Sequence, residues 1–136
     1  MTEEDVRWKQ RFDNYCRAFG QLIKAVEAHD VQPDNDLIQM ALVKAFEMTF
    51  ELAWKTMKDY LRYNGIDVNL PREVIKQAFA NGIIVDGQLW IDMLENRNVM
   101  AHVYDEARAQ TIVQLICHQY LPALIRLHQF MQEKAA

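Results

Sequence analysis

The stretch Asp36–Asn64, DLIQMALVKAFEMTFELAWKTMKDYLRYN, decides the fold. As far as Trp54 its apolar residues fall almost all round a helical wheel, the pattern of a helix packed on several sides rather than one. Asn64-Gly65 then supplies a left-handed stop. The spacing predicts one long central helix about which the other segments are arranged. Its polar residues form a single stripe, Lys44, Glu47, Glu51, Lys55, Lys58 and Arg62, each three or four positions from the next. Glu51 and Lys55 make a favourable i,i+4 pair of about 0.2–0.5 kcal/mol, and Glu47 and Glu51 repel by a similar amount. Two readings of the stripe stand: a solvated face, or a local phosphate-binding surface made by Lys55, Lys58 and Arg62.

Upstream, residues 6–28 carry Trp8, Phe12, Tyr15, Phe19, Leu22 and Val26 at alternating steps of four and three, the spacing of one apolar helix face. His29 to Asp34 break the pattern, and Asp34, Asn35 or Asp36 can cap the central helix. Downstream, Pro71 opens a short helix through Phe79, and Asn81-Gly82 closes it. Ile83-Ile84-Val85 reads as a buried connection, because three β-branched residues with no partner strand do not make a sheet. Asp86 can cap a helix that runs through Trp90, Met93 and Leu94 to Arg97. Asp105 is the next cap, starting a last helix with Ile112, Ile116, Tyr120, Leu124, Leu127 and Met131 facing inward and a kink at Pro122. The architecture expected is all-α, an antiparallel up-and-down four-helix bundle with an additional short helix, in one domain over residues 1–136.

About half of the 136 residues are apolar, as in a globular protein. No apolar run approaches the length of a membrane span, and Met1-Thr2-Glu3-Glu4-Asp5 is acidic where a secretory signal is basic, so a soluble cytoplasmic protein with no membrane partner is expected. Cys16 and Cys117 lack metal or CxxC spacing and read as small buried apolar residues. A net charge of −4 tells against broad electrostatic binding of nucleic acid, so any RNA contact must be local.

Chemistry gathers in Glu95-Asn96-Arg97-Asn98-Val99-Met100-Ala101-His102-Val103-Tyr104-Asp105. On a continuous helix Arg97 and His102 would lie roughly 140° apart around the axis, too far to serve one small site in one chain. Either the helix ends between them or two copies share the site. A structural reading has Arg97 bonding the last carbonyls of its own helix, His102 as a neutral loop residue and Tyr104 as a half-buried anchor. A functional reading suits RNA cleavage without a metal, in which the ribose 2′-hydroxyl attacks its own phosphate. A histidine can move the proton and an arginine can brace the charged phosphorane.

The spacing Arg97-x4-His102-x-Tyr104 resembles the signature of the HEPN superfamily, in the branch paired with a minimal nucleotidyltransferase (MNT) and often labelled nucleotidyltransferase substrate-binding proteins. Arg7-Trp8-Lys9-Gln10-Arg11-Phe12, Phe50-Glu51-Leu52-Ala53-Trp54-Lys55-Thr56, Asp59-Tyr60-Leu61, Asp86-Gly87 with Trp90 and Asp92-Met93-Leu94, and Tyr120-Leu121-Pro122 resemble that branch in the same order, so the likeness covers nearly the whole chain. It implies a helical bundle and a homodimer. It also implies a ribonuclease toxin acting on RNA without cofactor or metal, with His102 as acid/base, Arg97 as phosphate clamp and Asn98 as a supporting polar group. By the same resemblance Tyr104 is the acceptor onto which an MNT-type nucleotidyltransferase antitoxin transfers AMP, which silences the toxin. The alternative is a non-catalytic subunit that presents a substrate to that nucleotidyltransferase, with Arg97 and His102 holding a nucleotide.

Overall fold

The computed structural model describes residues 2–100 and 106–136, with residues 98–100 and 106 described by their backbone alone. The first helix, α1 (Glu3–Val31), starts at Thr2, whose hydroxyl accepts from the Asp5 amide at 3.1 Å. Three acidic residues in its first turn oppose the positive end of the helix dipole. Trp8, Phe12, Tyr15, Ala18 and Leu22 are buried, while Phe19 and Val26 pack at the margin of the core.

The central helix is α2 (Asp36–Tyr63). Of the three candidate caps Asn35 is the one used: its side-chain oxygen accepts from the amides of Leu37 at 3.0 Å and Ile38 at 3.2 Å. Gly65 takes φ +86° beyond the other end, where a side chain would be strained. The helix packs on several sides, against α1 and each of the later helices, but Leu37, Met40 and Met48 remain exposed.

A short helix, α3 (Pro71–Ala80), follows, and Ile83 and Ile84 are buried in the connection while Val85 points to solvent. The next helix, α4 (Gly87–Met100), is capped by Asp86, which accepts from the Leu89 amide at 3.0 Å. It does not end at Arg97 but runs three residues further, with Arg97 in its last turn. The expected cap Asp105 lies outside the described residues.

The last rod is α5 (Glu106–Leu115), a π-helical turn (Ile116–Tyr120) and α6 (Leu121–Ala135), with helical torsions at both joints. The disturbance expected from Pro122 takes the form of this turn: the Leu121 amide donates to the Ile116 carbonyl, five residues back. Pro122 has no N–H to give the ladder, and its ring would press on the carbonyl four residues earlier, so the turn before it widens. Ile112, Ile116, Tyr120, Leu124, Leu127 and Met131 are all buried, as their spacing predicted.

The molecule is an all-α, antiparallel up-and-down bundle of four rods, α1, α2, α4 and α5–α6, with α3 as the short addition and no strand among the described residues. Aromatic rings tie α2 to its neighbours, Phe46 with Tyr120 at 5.5 Å and Phe50 with Trp90 at 6.0 Å between centroids. The Tyr15 hydroxyl donates to the Leu124 carbonyl at 2.7 Å, so a buried phenol is satisfied by the opposite rod. Cys16 and Cys117 are half-buried at the core margin rather than inside it. Among the described residues no helix is long and apolar enough to cross a membrane.

Candidate functional site

The last turn of α4 lies against the middle of α2, and that crossing fixes Arg97. Its guanidinium sits 5.8 Å from the centroid of the Phe50 ring, which is fully buried and so cannot move away. The Nη1 group pairs with one oxygen of Glu51, and Lys55 Nζ lies 3.6 Å from the other. Two cations therefore share one carboxylate. The stacked ring and the carboxylate together hold the guanidinium plane in one orientation.

The residue before the arginine is anchored as well. Asn96 donates through Nδ2 to the Tyr120 hydroxyl. Burial pushes the Tyr120 phenol above its ordinary value, with the Asn96 hydrogen bond opposing and nearby Asp92 adding to the rise, so this oxygen accepts as a neutral group. Arg72 on α3 reaches Glu95 at 3.4 Å and steadies the outer side of the same turn. The end of α4 is thus fixed by α2, α3 and the last rod before the chain enters residues 101–105.

The residues expected from sequence fare differently. Arg97 lies on a partly open surface, and Lys55 is brought to it through Glu51. Arg62 is not brought there: eleven residues of helix put it roughly 16 Å from Glu51, and it pairs with Asp67 at 3.1 Å. Lys58 lies between the two and has no ion pair among the described residues. The stripe on α2 is therefore neither a plain solvated face nor one continuous cationic surface, since Lys44–Glu47, Lys55–Glu51 and Arg62–Asp67 are separate pairs. The side chain of Asn98, and His102 and Tyr104 altogether, lie outside the described residues.

Glu51 is the participant that the sequence reading missed. It was visible only as half of a pair with Lys55, and nothing in local spacing says that α4 delivers an arginine to its other oxygen. Asn96 and Tyr120 were missed for the same reason. Among the described residues no three of His, Cys, Asp and Glu gather to hold a metal ion. What the arrangement offers is an anchored guanidinium with a second cation beside it, held by a carboxylate for which an incoming phosphodiester can substitute.

Comparison with known proteins agrees with this architecture. The chain is 26% identical over 110 residues to the probable ribonuclease HepT of Haemophilus influenzae, an alignment that covers 76% of this chain and 75% of that protein. A crystal structure of a protein from Thermus thermophilus superposes with a TM-score of 0.73 at 26% identity, covering 89% of this chain and 98% of that one. The tri-AMPylated HEPN toxin of Shewanella oneidensis, solved in complex with MNT antitoxin, superposes with a TM-score of 0.74 over 98% of this chain and 99% of its own, at 12% identity, and so shares the fold. Residues 10–133 match the family described as nucleotidyltransferase substrate binding protein like, and with its HEPN-type bundle this chain belongs to that family.

Proposed function

We propose that this protein is the ribonuclease toxin of a two-component pair. The observation that carries the reading is the anchored Arg97, oriented by Glu51 and Phe50 one turn before the segment that holds His102. His102 takes the proton of a ribose 2′-hydroxyl as that oxygen bonds to the adjacent phosphorus. The bond to the 5′-oxygen then breaks, the leaving oxygen receives a proton, and a 2′,3′-cyclic phosphate remains. Arg97 stabilises the phosphorane charge and Asn98 supports it, so no metal or cofactor enters the step. The relative named as a probable ribonuclease supports the activity, RNA cleavage, at the level of the family.

Two copies of the chain assemble the site. The apolar residues exposed on α2, Leu37, Met40 and Met48, lie on the helix face that continues into Glu51 and Lys55, so a second copy seated there arrives beside Arg97. An MNT-type nucleotidyltransferase controls the toxin by joining the α-phosphorus of ATP to the Tyr104 oxygen with release of pyrophosphate. Added charge and bulk then obstruct the place that RNA phosphate must occupy.

Expression without the partner tests the reading: growth should arrest and RNA should be cleaved, unchanged by EDTA, and His102→Ala should abolish both while the protein stays folded. A folded, fully active His102→Ala variant overturns the assignment. Intact mass after incubation with the partner, ATP and magnesium tests the control. The wild type should gain adenylate and Tyr104→Phe should gain none while remaining toxic.

A second reading has a specific observation behind it. Glu51 neutralises much of the Arg97 charge in the free protein, which suits a subunit that holds a nucleotide for its partner without cleaving anything. Failure of the isolated chain to cleave RNA, together with binding of a nucleotide, would favour this one.

A further inference from the structure

A cavity of about 380 Å³ with mixed polar and apolar walls opens at the end of the bundle where α1 turns into α2 and α5 begins. That volume falls in the range of small-molecule sites. His29 lines it and is only 7% exposed, yet its ring nitrogens have no hydrogen-bond partner among the described residues. Among the described residues the buried side-chain nitrogen or oxygen without a partner is Trp54 Nε1, so the His29 ring nitrogens are open to the cavity rather than enclosed.

The lining has a definite chemistry. Gln39 spends its amide nitrogen on the Pro33 carbonyl at 3.0 Å, which leaves its oxygen as an acceptor. The Gln114 oxygen is engaged by His118 at 3.0 Å, which leaves its amide nitrogen as a donor. Gln110 adds a neutral donor and acceptor, Thr111, whose hydroxyl donates to the Ala107 carbonyl at 3.2 Å, adds an acceptor, Pro33 and Val113 offer apolar surface for a flat face, and no Lys or Arg lines the cavity among the described residues. Among the described residues the exposed Asp34 carboxylate is the one charged group of the lining, so the set repels phosphate and leaves the recognition to its neutral groups. It matches a planar, uncharged heterocycle with donors and acceptors around its edge.

We propose that this cavity receives one unpaired base of the RNA, with His29 and the glutamines reading its edge while the phosphates remain outside. This rests on the ribonuclease reading above, and its location suits it, because Ala107, Gln110 and Thr111 line the cavity from the first turns of α5, directly after residues 101–105. Single-stranded RNA is commonly held by seating a splayed base in a pocket of this kind.

The test is a titration of the 13C-labelled histidine rings by NMR with adenosine, guanosine, cytidine and uridine, and with ribose 5-phosphate as the phosphate-bearing control. The His29 signal, identified by its loss in His29→Gln, should shift saturably with at least one nucleoside and not with ribose 5-phosphate. Thr111→Val, a change on an exposed turn, should weaken the same shift by about five-fold, the value of one neutral hydrogen bond. No shift with any nucleoside, or a shift with ribose 5-phosphate alone, overturns the proposal. RNA cleavage without nucleoside binding rejects the base pocket and keeps the ribonuclease; nucleoside binding with no cleavage rejects the ribonuclease and keeps the pocket.

Discussion

Arg11 and Arg97 both reach across to a carboxylate on α2, the first from α1 to Asp59 and the second from α4 to Glu51. At the α1 seam the contact is 3.0 Å, and the anion is the hidden partner: the Asp59 side chain is 7% exposed against 36% for Arg11. At the α4 seam the order reverses, with Arg97 24% and Glu51 35% exposed. A buried carboxylate must keep its cation or lose its solvation with nothing in return. A cation that is the better-buried partner, resting on an aromatic face, can exchange one surface anion for another. The same pair of residue types is therefore built as a structural clasp at one seam and, at the other, in the arrangement that the proposed phosphate contact requires.

The largest expected effect comes from Arg97→Ala, which should lower RNA cleavage by about 10²- to 10³-fold, the usual loss when one transition-state donor is removed. Its thermal midpoint should hardly move, since the lost ion pair is partly solvated. Arg11→Ala should do the opposite, leaving cleavage per folded molecule intact and destabilising the bundle by about 1–3 kcal/mol in urea unfolding, because Asp59 is left without its donor. Equal losses of activity in the two variants would erase the distinction between the seams. Glu51→Gln should have the smallest effect, a roughly two- to five-fold gain in RNA affinity from removing an exposed competing charge. Weaker binding by Glu51→Gln would instead make Glu51 necessary for orienting the arginine.

Five helix boundaries were legible because each rests on a local device: Asn35 and Asp86 as caps, Pro71 at a first turn, and Gly65 and Gly82 at positive φ; the ends of α1 and α4, which have no such device, lie three residues beyond where they were expected. The inward residues of the last rod were legible from their spacing. The Glu51–Arg97 pair was not, because its partners are 46 positions apart and meet only through the crossing of α4 over α2. Exposure of Met40 and Met48 was missed for a related reason: a wheel reports which residues are apolar, not how many neighbours the helix has to cover them. His29, read as part of a turn, is the last buried residue of α1, since the helix outlasts its apolar pattern by a turn.

The π-helical turn at Ile116–Tyr120 also keeps the two halves of the last rod in phase. Ile112, Ile116, Tyr120 and Leu124 recur every fourth residue, and on a regular α-helix three such steps drift by roughly 120° around the axis. A turn that closes on the fifth residue takes up part of that rotation, so all four stay on the inner face. The turn behaves as a one-residue insertion that resets the angle between the two halves of the rod. Deleting a residue from it would rotate the start of α5 by about 100° relative to α6. Gln110, Thr111 and Gln114 would swing away from His29, and Ile112 and Val113 would leave the inner face with them, so this one turn sets both the aim and the seating of that end of the molecule.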